Sequence, residues 1–328
     1  MKILITGGAG FLGQRLARKL LEQGTLTLDA NGPQAITRID LLDVVKTDAF
    51  TDPRVHSCVG DIADPAVLRQ AIDTDTRAIF HLAAIVSGQA EADFDLGMRI
   101  NLDASRALLD VCRALGHRPR VVFTSSVAVY GGDLPATVRD DTALNPQSSY
   151  GTQKAIAELL LADYTRRGFV DGRVLRLPTI SVRPGRPNAA ASSFASGIIR
   201  EPLNGEPAVC PVNADTRLWL LSPRGAIQAL IAGCELPADA VEDRMPINLP
   251  GVSVTVSDME QALREVAGDD VADRITWRPD ERVERIVGSW PGQWDTTRAA
   301  RLGLKGDASF ADIIRAYMAD DMPRSNAA

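Results

Sequence analysis

Apolar residues fall along the first half of the chain in short runs separated by longer amphipathic stretches. Lys2–Thr6, Ile36–Leu42, Val55–Val59, Ala78–Leu82, Arg120–Thr124 and Arg173–Leu177 read as strands. Helical periodicity fills Phe11–Gln23, Pro65–Ile72, about Ala92–Leu115 and about Ser149–Arg167. The breakers Gly24, Gly32-Pro33, Gly116 and Gly168 stand in the gaps. This alternation predicts an α/β fold: a doubly wound parallel sheet of the Rossmann type, helices on both faces, with a smaller interwoven C-terminal lobe.

After Thr179 the alternation loosens. Val182–Pro211 is rich in proline, glycine, alanine and serine, as loops covering a site would be. Leu218–Leu221 and Met245–Leu249 read as strands. Pro223–Cys234, Ser257–Ala267 (with Ser257 as N-cap), Thr297–Leu304 and Ala308–Met318 read as helices. The expected division is a sheet domain over residues 1–180, to which about 223–250 returns, and a substrate-binding lobe over 181–328.

Two helices are apolar on more sides than one sheet face can cover. Phe94, Leu96, Met98, Ile100, Leu102, Leu108, Leu109 and Val111 spread round one; Ile156, Leu159, Leu160, Leu161 and Tyr164 spread round the other. A helix apolar on most sides is buried on most sides, so these two are expected to pack across a two-fold axis in a homodimer.

Composition narrows the partners. At 328 residues, 45% hydrophobic and 24% charged, the chain has ordinary globular character, and its net charge of −6 offers no broad attraction to nucleic acid or anionic membrane. Cys58, Cys112, Cys210 and Cys234 are scattered without metal-ligand spacing. Only His56, His81 and His117 could supply imidazole, so no metal site is expected. No apolar run reaches the roughly 18 residues of a membrane span, and glycines interrupt the apolar stretch after Ile5. A cytoplasmic protein with reduced thiols is expected.

The strongest local signal is Ile3-Leu4-Ile5-Thr6-Gly7-Gly8-Ala9-Gly10-Phe11-Leu12-Gly13, a strand running through a glycine turn into a helix. Glycines let the backbone approach a dinucleotide pyrophosphate, and the helix N-terminus offers free N–H groups. Two registers fit, Gly8/Gly10/Gly13 and Gly7/Gly10/Gly13. A carboxylate ending the second strand would accept the ribose hydroxyls and repel a 2′-phosphate. Asp43 is the first candidate, ahead of Asp40 and Asp29, because Asp29 precedes what reads as a loop insertion. No arginine follows Asp43, which favours NAD over NADP. Asp61 and Ile62 follow the third strand, where an acid and a small apolar residue would flank the adenine.

Tyr150 and Lys154 are four residues apart and share one helix face. Upstream, Val121-Val122-Phe123-Thr124-Ser125-Ser126 is a buried strand ending in hydroxyls. Its carboxyl end opens onto the same crevice as the glycine turn. Oxidising an alcohol needs a base for its proton, and a free tyrosine titrates near about 10. One ammonium about 4 Å away is worth up to ~4 kcal/mol at an effective dielectric of about 20, and each pKa unit needs ~1.4. Lys154 and a positive nicotinamide are therefore expected to acidify Tyr150, with Ser126 holding the reacting oxygen.

With these residues the chain resembles the extended short-chain dehydrogenase/reductase family. The likeness lies in Thr6–Gly13, Gly60-Asp61, His81-Leu82-Ala83-Ala84, Asn101, Ser125-Ser126, Val129-Tyr130-Gly131 and Tyr150-Gly151-Thr152-Gln153-Lys154. The resemblance implies that Ser126, Tyr150 and Lys154 are the catalytic triad and that Asn101 holds a proton-relaying water. It places Ala83, Ser125 and Pro178 along the cofactor. Val127-Ala128 stand where the family's hexose dehydratases carry an acidic pair, which argues against that reaction. Within the family, Arg176–Asn188, Ser192-Ser193-Phe194, Arg217–Arg224 and Val287–Pro291 resemble enzymes that oxidise the C2 hydroxyl of a four-carbon sugar acid with NAD. Arg183, Arg186, Arg217 and Arg224 would then be candidates for the substrate carboxylate, with Asn188, Ser192 and Ser193 for its hydroxyls. A nucleotide-sugar epimerase of the same family and a non-catalytic NAD sensor are the alternatives.

Overall fold

The structure, a computed structural model, describes residues 1–185, 191–241, 246–288 and 290–322. Seven parallel strands form the central sheet. From edge to edge they run Ile247–Asn248, Asp171–Leu177, Arg120–Ser126, Thr76–His81, Lys2–Thr6, Arg38–Asp43 and Val55–Val59. The chain starts in the middle, moves out through Arg38–Asp43, then crosses back to Thr76–His81. The strand order therefore reverses between Lys2–Thr6 and Thr76–His81, and a crevice opens beyond their carboxyl ends.

Period-two alternation sends Ile3 and Ile5 into one apolar layer with Leu16, Leu20 and Leu230. Leu4 and Ile79 go into the other, with Leu108, Val121 and Leu161. The second strand of the sheet is Arg38–Asp43, and Thr25–Thr27 and Pro33–Ala35 make a small antiparallel hairpin inserted before it. Asp29 sits on that hairpin, 3.9 Å from Arg77.

The expected single helix over about Ala92–Leu115 is broken into Ser87–Ala92, Phe94–Gly97, a six-residue π-helical segment Met98–Asp103, and Ala104–Leu115. Asp93 stops the first piece and caps the second, accepting the Leu96 N–H at 3.0 Å. Periodicity alone conceals this break, because the widened turn preserves the apolar face. The cap of Val256–Ala267 is Thr255 rather than Ser257: Thr255 and Asp258 close a reciprocal capping box.

Beyond Leu177 the chain builds a three-stranded sheet (Val252–Thr255, Arg217–Leu221, Thr179–Ile180) over a third apolar cluster containing Val182, Ile198, Leu218, Met259 and Ile313. Helix Pro223–Glu235 packs into the main sheet's core through Ala226, Ile227 and Leu230. Ile247–Asn248 pairs with Leu175–Arg176 at the sheet edge. Among the described residues no helix is long and apolar enough to cross a membrane.

Candidate active site

The glycine turn is shaped by contacts that leave no room for a side chain. Gly7 has a φ of +70°, and a Cβ on Gly13 would lie 2.3 Å from the Gly7 carbonyl oxygen. Gly10 caps helix Phe11–Gln23 without a side-chain hydrogen bond, so the first N–H groups, at Phe11, Leu12 and Gly13, are left to a ligand or solvent. Both glycine registers are used, because a Cβ on Gly8 would meet Leu41 Cα at 2.7 Å. Such a bare cradle fits a dinucleotide pyrophosphate.

Three acids competed for the ribose, and their surroundings differ. Asp43 ends its strand beside the turn, its carboxylate accepting the Ala9 N–H at 3.1 Å. Asp40 is buried between Lys2 and Arg38 at 3.3 and 2.7 Å, and Asp29 is on the hairpin. Asp61 accepts from Arg99 at 2.5 Å, and that bond holds its carboxyl below the usual range. Ile62 is buried in the core with Leu42 and Leu68.

The helix Ser149–Arg166 starts at Ser148, whose hydroxyl accepts the Gly151 N–H at 3.1 Å. Glu91 accepts the Ser149 N–H from the neighbouring helix at 2.9 Å. The start of the helix presents Tyr150 to Ser126. Ser126 ends its strand and accepts the Ala128 N–H at 3.1 Å, opening the short turn Val127–Val129. One turn on, Lys154 is buried; its ammonium donates to the Thr124 carbonyl at 2.8 Å and lies 5.7 Å from the Tyr150 ring centre.

The expected acidification of Tyr150 by Lys154 is not present in the free chain. Burial pushes the phenol up to about 12, opposed by a hydrogen bond with Ser126. Burial likewise pulls Lys154 down to about 8, opposed by Glu158. Desolvation penalises both charged forms, and the ammonium is turned to a backbone carbonyl rather than to the phenol.

Asn101 lies in the π segment, where both ends of its amide are engaged. Oδ1 accepts the Ile85 N–H at 2.8 Å; Nδ2 donates to the Ile85 carbonyl at 3.1 Å and to Gln153 at 2.8 Å. The side chain thus ties the loop after Thr76–His81 to the helix carrying Tyr150 and Lys154. Ala83 closes over Gly7, its N–H donating to Thr6 Oγ1 at 3.2 Å. Ser125 is buried with its hydroxyl unpartnered, and Pro178 is buried just beyond the end of its strand.

The lobe's arginines separate into different settings. Arg183 is half-buried; burial, with the Arg200 charge behind it, holds its guanidinium below the usual range, and no acid among the described residues pairs with it. Arg217 is exposed and reaches Ser253 at 3.4 Å. It lines a cavity of about 440 Å³ with Ala136, Thr216, Trp290, Gly292 and Gln293, and none of the triad residues lines it. Arg224 is taken out of contention by Asp320, at 2.6 Å. Ser192 is half-buried in the turn before helix Phe194–Leu203. Arg186 and Asn188 lie outside the described residues.

Sequence reasoning passed over several residues that hold the site. Thr6, Thr124 and Glu91 act through contacts between elements distant in the chain, and nothing local marks them. Glu158 could have been noticed, since it continues the Tyr150/Lys154 spacing by another four residues.

A pyrophosphate cradle at the sheet's switch point, facing a Ser, Tyr and Lys on adjacent elements, defines a class of dinucleotide-dependent enzymes. Residues 3–220 match the NAD dependent epimerase/dehydratase family; the chain belongs to it, and its cofactor is NAD. Over 320 residues the chain is 69% identical to the D-erythronate dehydrogenase of Cupriavidus necator, covering 98% of each. It is 49% identical over 323 residues to the D-erythronate dehydrogenase of Haemophilus influenzae, covering 98% of this chain and 100% of that one. A solved nucleoside-diphosphate-sugar epimerase from Agrobacterium tumefaciens is similar at 43% identity with a TM-score of 0.93, over 98% of this chain and 94% of that one.

Proposed function

We propose that the chain is an NAD-dependent dehydrogenase that oxidises the C2 hydroxyl of a short sugar acid, with D-erythronate giving 2-oxo-tetronate. The observation that carries this reading is end-to-end likeness to two D-erythronate dehydrogenases, at 69% and 49% identity. NAD, when bound, supplies the hydride acceptor and, in its oxidised form, a positive charge in the crevice. Gly7, Gly10, Phe11, Leu12 and Gly13 cradle its pyrophosphate, Asp43 takes the ribose hydroxyls, and Asp61 and Ile62 border the adenine. Ala83, Ser125 and Pro178 line the rest of the cofactor path.

The chemistry of the chain itself is proton transfer and orientation. Ser126 holds the C2 hydroxyl. Tyr150 takes its proton as the carbon is oxidised, and Lys154 supports the phenolate. Asn101 fixes the loop and helix on either side of this group. Arg183 is the arginine suited to the carboxylate, since among the described residues no acid pairs with its guanidinium and a substrate carboxylate would fill that role. Ser192 serves a hydroxyl.

Two observations favour a second reading, sugar-nucleotide epimerisation: the similar Agrobacterium protein is a nucleoside-diphosphate-sugar epimerase, and Arg217 lines a cavity larger than a four-carbon acid needs. An epimerase regenerates its cofactor in every turnover, whereas a dehydrogenase accumulates NADH. The deciding assay offers C4 to C6 aldonic acids with NAD and follows reduced-nicotinamide absorbance. D-Erythronate should give stoichiometric NADH, and Tyr150→Phe should lower its rate by roughly 10²–10⁴ while leaving NAD affinity nearly unchanged. No net NADH from any acid would reject the dehydrogenase reading.

The protein is proposed to work in the cytoplasm as a homodimer. Its four cysteines are free, which suits a reducing compartment. Of the two apolar helical regions, Ile100, Leu108, Leu109 and Leu161 are buried within the chain, but Phe94 and Leu159 remain 58% and 67% exposed. Half-buried Leu96, Leu102, Ile156 and Leu160 extend that surface, which a second copy would cover. Light scattering that shows a monomer at micromolar concentration would remove the dimer.

A further inference from the structure

Tyr150, Lys154 and Glu158 stand at successive four-residue steps on the helix Ser149–Arg166, all on the face turned to the sheet. Lys154 and Glu158 are each almost completely buried. At this spacing a lysine and a glutamate are within reach of one another. Here they do not pair: Lys154 donates to the Thr124 carbonyl, and Glu158 is gripped from the next strand by Arg176. The grip is bidentate, Nε to Oε1 at 2.9 Å and Nη2 to Oε2 at 2.7 Å. Arg176 is itself held from behind, with Nη1 donating to the Tyr130 hydroxyl and the guanidinium 4.9 Å from that ring's centre.

From this geometry we infer that Arg176 is a positioning residue: by holding the Glu158 carboxylate, it keeps Glu158 from capturing Lys154 and leaves the ammonium free to support Tyr150. The inference rests on the proposed roles of Tyr150 and Lys154. A closed Lys154–Glu158 pair would draw Nζ back along the helix, away from the phenol. Arg176 removes that competitor without removing its charge, which still helps keep Lys154 protonated in a buried setting. The other charged and titratable groups around Lys154 and Glu158 are few. His81 faces Lys154 from strand Thr76–His81, and Tyr130, Asp140 and Arg298 lie beyond Arg176.

The test compares Arg176→Met, the double variant Arg176→Met/Glu158→Gln, and the wild type. In Arg176→Met the freed glutamate takes the lysine. The expected result is at least a tenfold fall in kcat for oxidation. The acid limb of the pH profile should move up by roughly one unit, the scale of one displaced charge near the phenol. In the double variant no carboxylate remains to compete, so kcat measured at pH 7, below the Lys154 titration, should return to within about threefold of wild type. A double variant that folds, judged by circular dichroism and NAD binding, but stays impaired overturns the inference. An unchanged pH profile in Arg176→Met does the same. If Arg176→Met does not fold, the double variant alone decides, because a pair needed only for structure would leave it no better. Turnover surviving in Tyr150→Phe would instead overturn the reading of the site, whatever these variants do.

Discussion

Lys154 gives its hydrogen bond to the Thr124 carbonyl at 2.8 Å while standing 5.7 Å from the centre of the Tyr150 ring. The ammonium is thus fixed by the sheet before any substrate arrives, with no direct bond to the phenol. With the phenol near 12 and the ammonium near 8 in the free chain, burial sets both values.

The pH dependence of catalysis follows from that. Oxidation needs the phenol without its proton and reduction needs it with one, so the oxidative rate should climb from pH 6.5 to 9 while the reverse reaction slows. Lys154→Met should displace the oxidative limb by a unit or more toward alkaline pH. Steady-state rates in both directions across this range check it; a flat oxidative profile would remove Tyr150 from the base role.

Asp43 is the acid at the mouth of the cofactor crevice, held to the Ala9 amide at 3.1 Å. Asp43→Ala should weaken NAD at least tenfold and narrow its advantage over NADP, because the ribose hydroxyls lose an acceptor and a 2′-phosphate loses a repelling charge. Titration calorimetry with both cofactors measures this. An unchanged ratio would send the role to another group.

How much of this was legible in the chain depended on the range of the interactions. The strand–glycine–helix start and the Tyr150/Lys154 spacing are local patterns, and the parallel sheet follows from alternation. The break at Asp93 and the π segment escaped because the apolar face runs through both. The raised phenol of Tyr150 in the free chain escaped for a different reason. A Coulomb estimate between two side chains can be made from spacing, but desolvation depends on what the rest of the fold lays over them. Arg224 likewise looked like a substrate ligand until the C-terminal helix brought Asp320 to it.

Arg183 and Arg217 make opposite predictions. Arg183→Lys keeps the charge but loses the two-pronged donor geometry, and should raise KM for a sugar acid tenfold or more while leaving a matching neutral polyol unaffected. Arg217→Lys, changing a residue of the cavity that no triad residue lines, should shift neither. Paired KM measurements on acid and polyol decide; equal effects of Arg183→Lys on both would mean that it does not read the carboxylate.

His81 carries the last prediction, and it concerns stability. Its ring is sealed between Thr6 Oγ1, 2.7 Å from Nδ1, and Ser105 Oγ, 2.9 Å from Nε2. Ser105 donates onward to the Asn101 carbonyl at 2.7 Å, so it accepts from Nε2–H, and Nδ1 is left to accept from Thr6. This arrangement needs a neutral imidazole, and burial, aided by the Lys154 charge, pulls His81 down to about 3. Between its ordinary value and that one, the unfolded chain binds a proton that the folded chain refuses. Stability is therefore lost as pH falls below about 6.5, at up to ~1.4 kcal/mol per unit. His81→Gln removes the titration, so its urea midpoint should fall less than that of the wild type between pH 7 and pH 5, whatever its starting stability. Equal slopes for the two proteins would show that His81 does not carry the acid sensitivity.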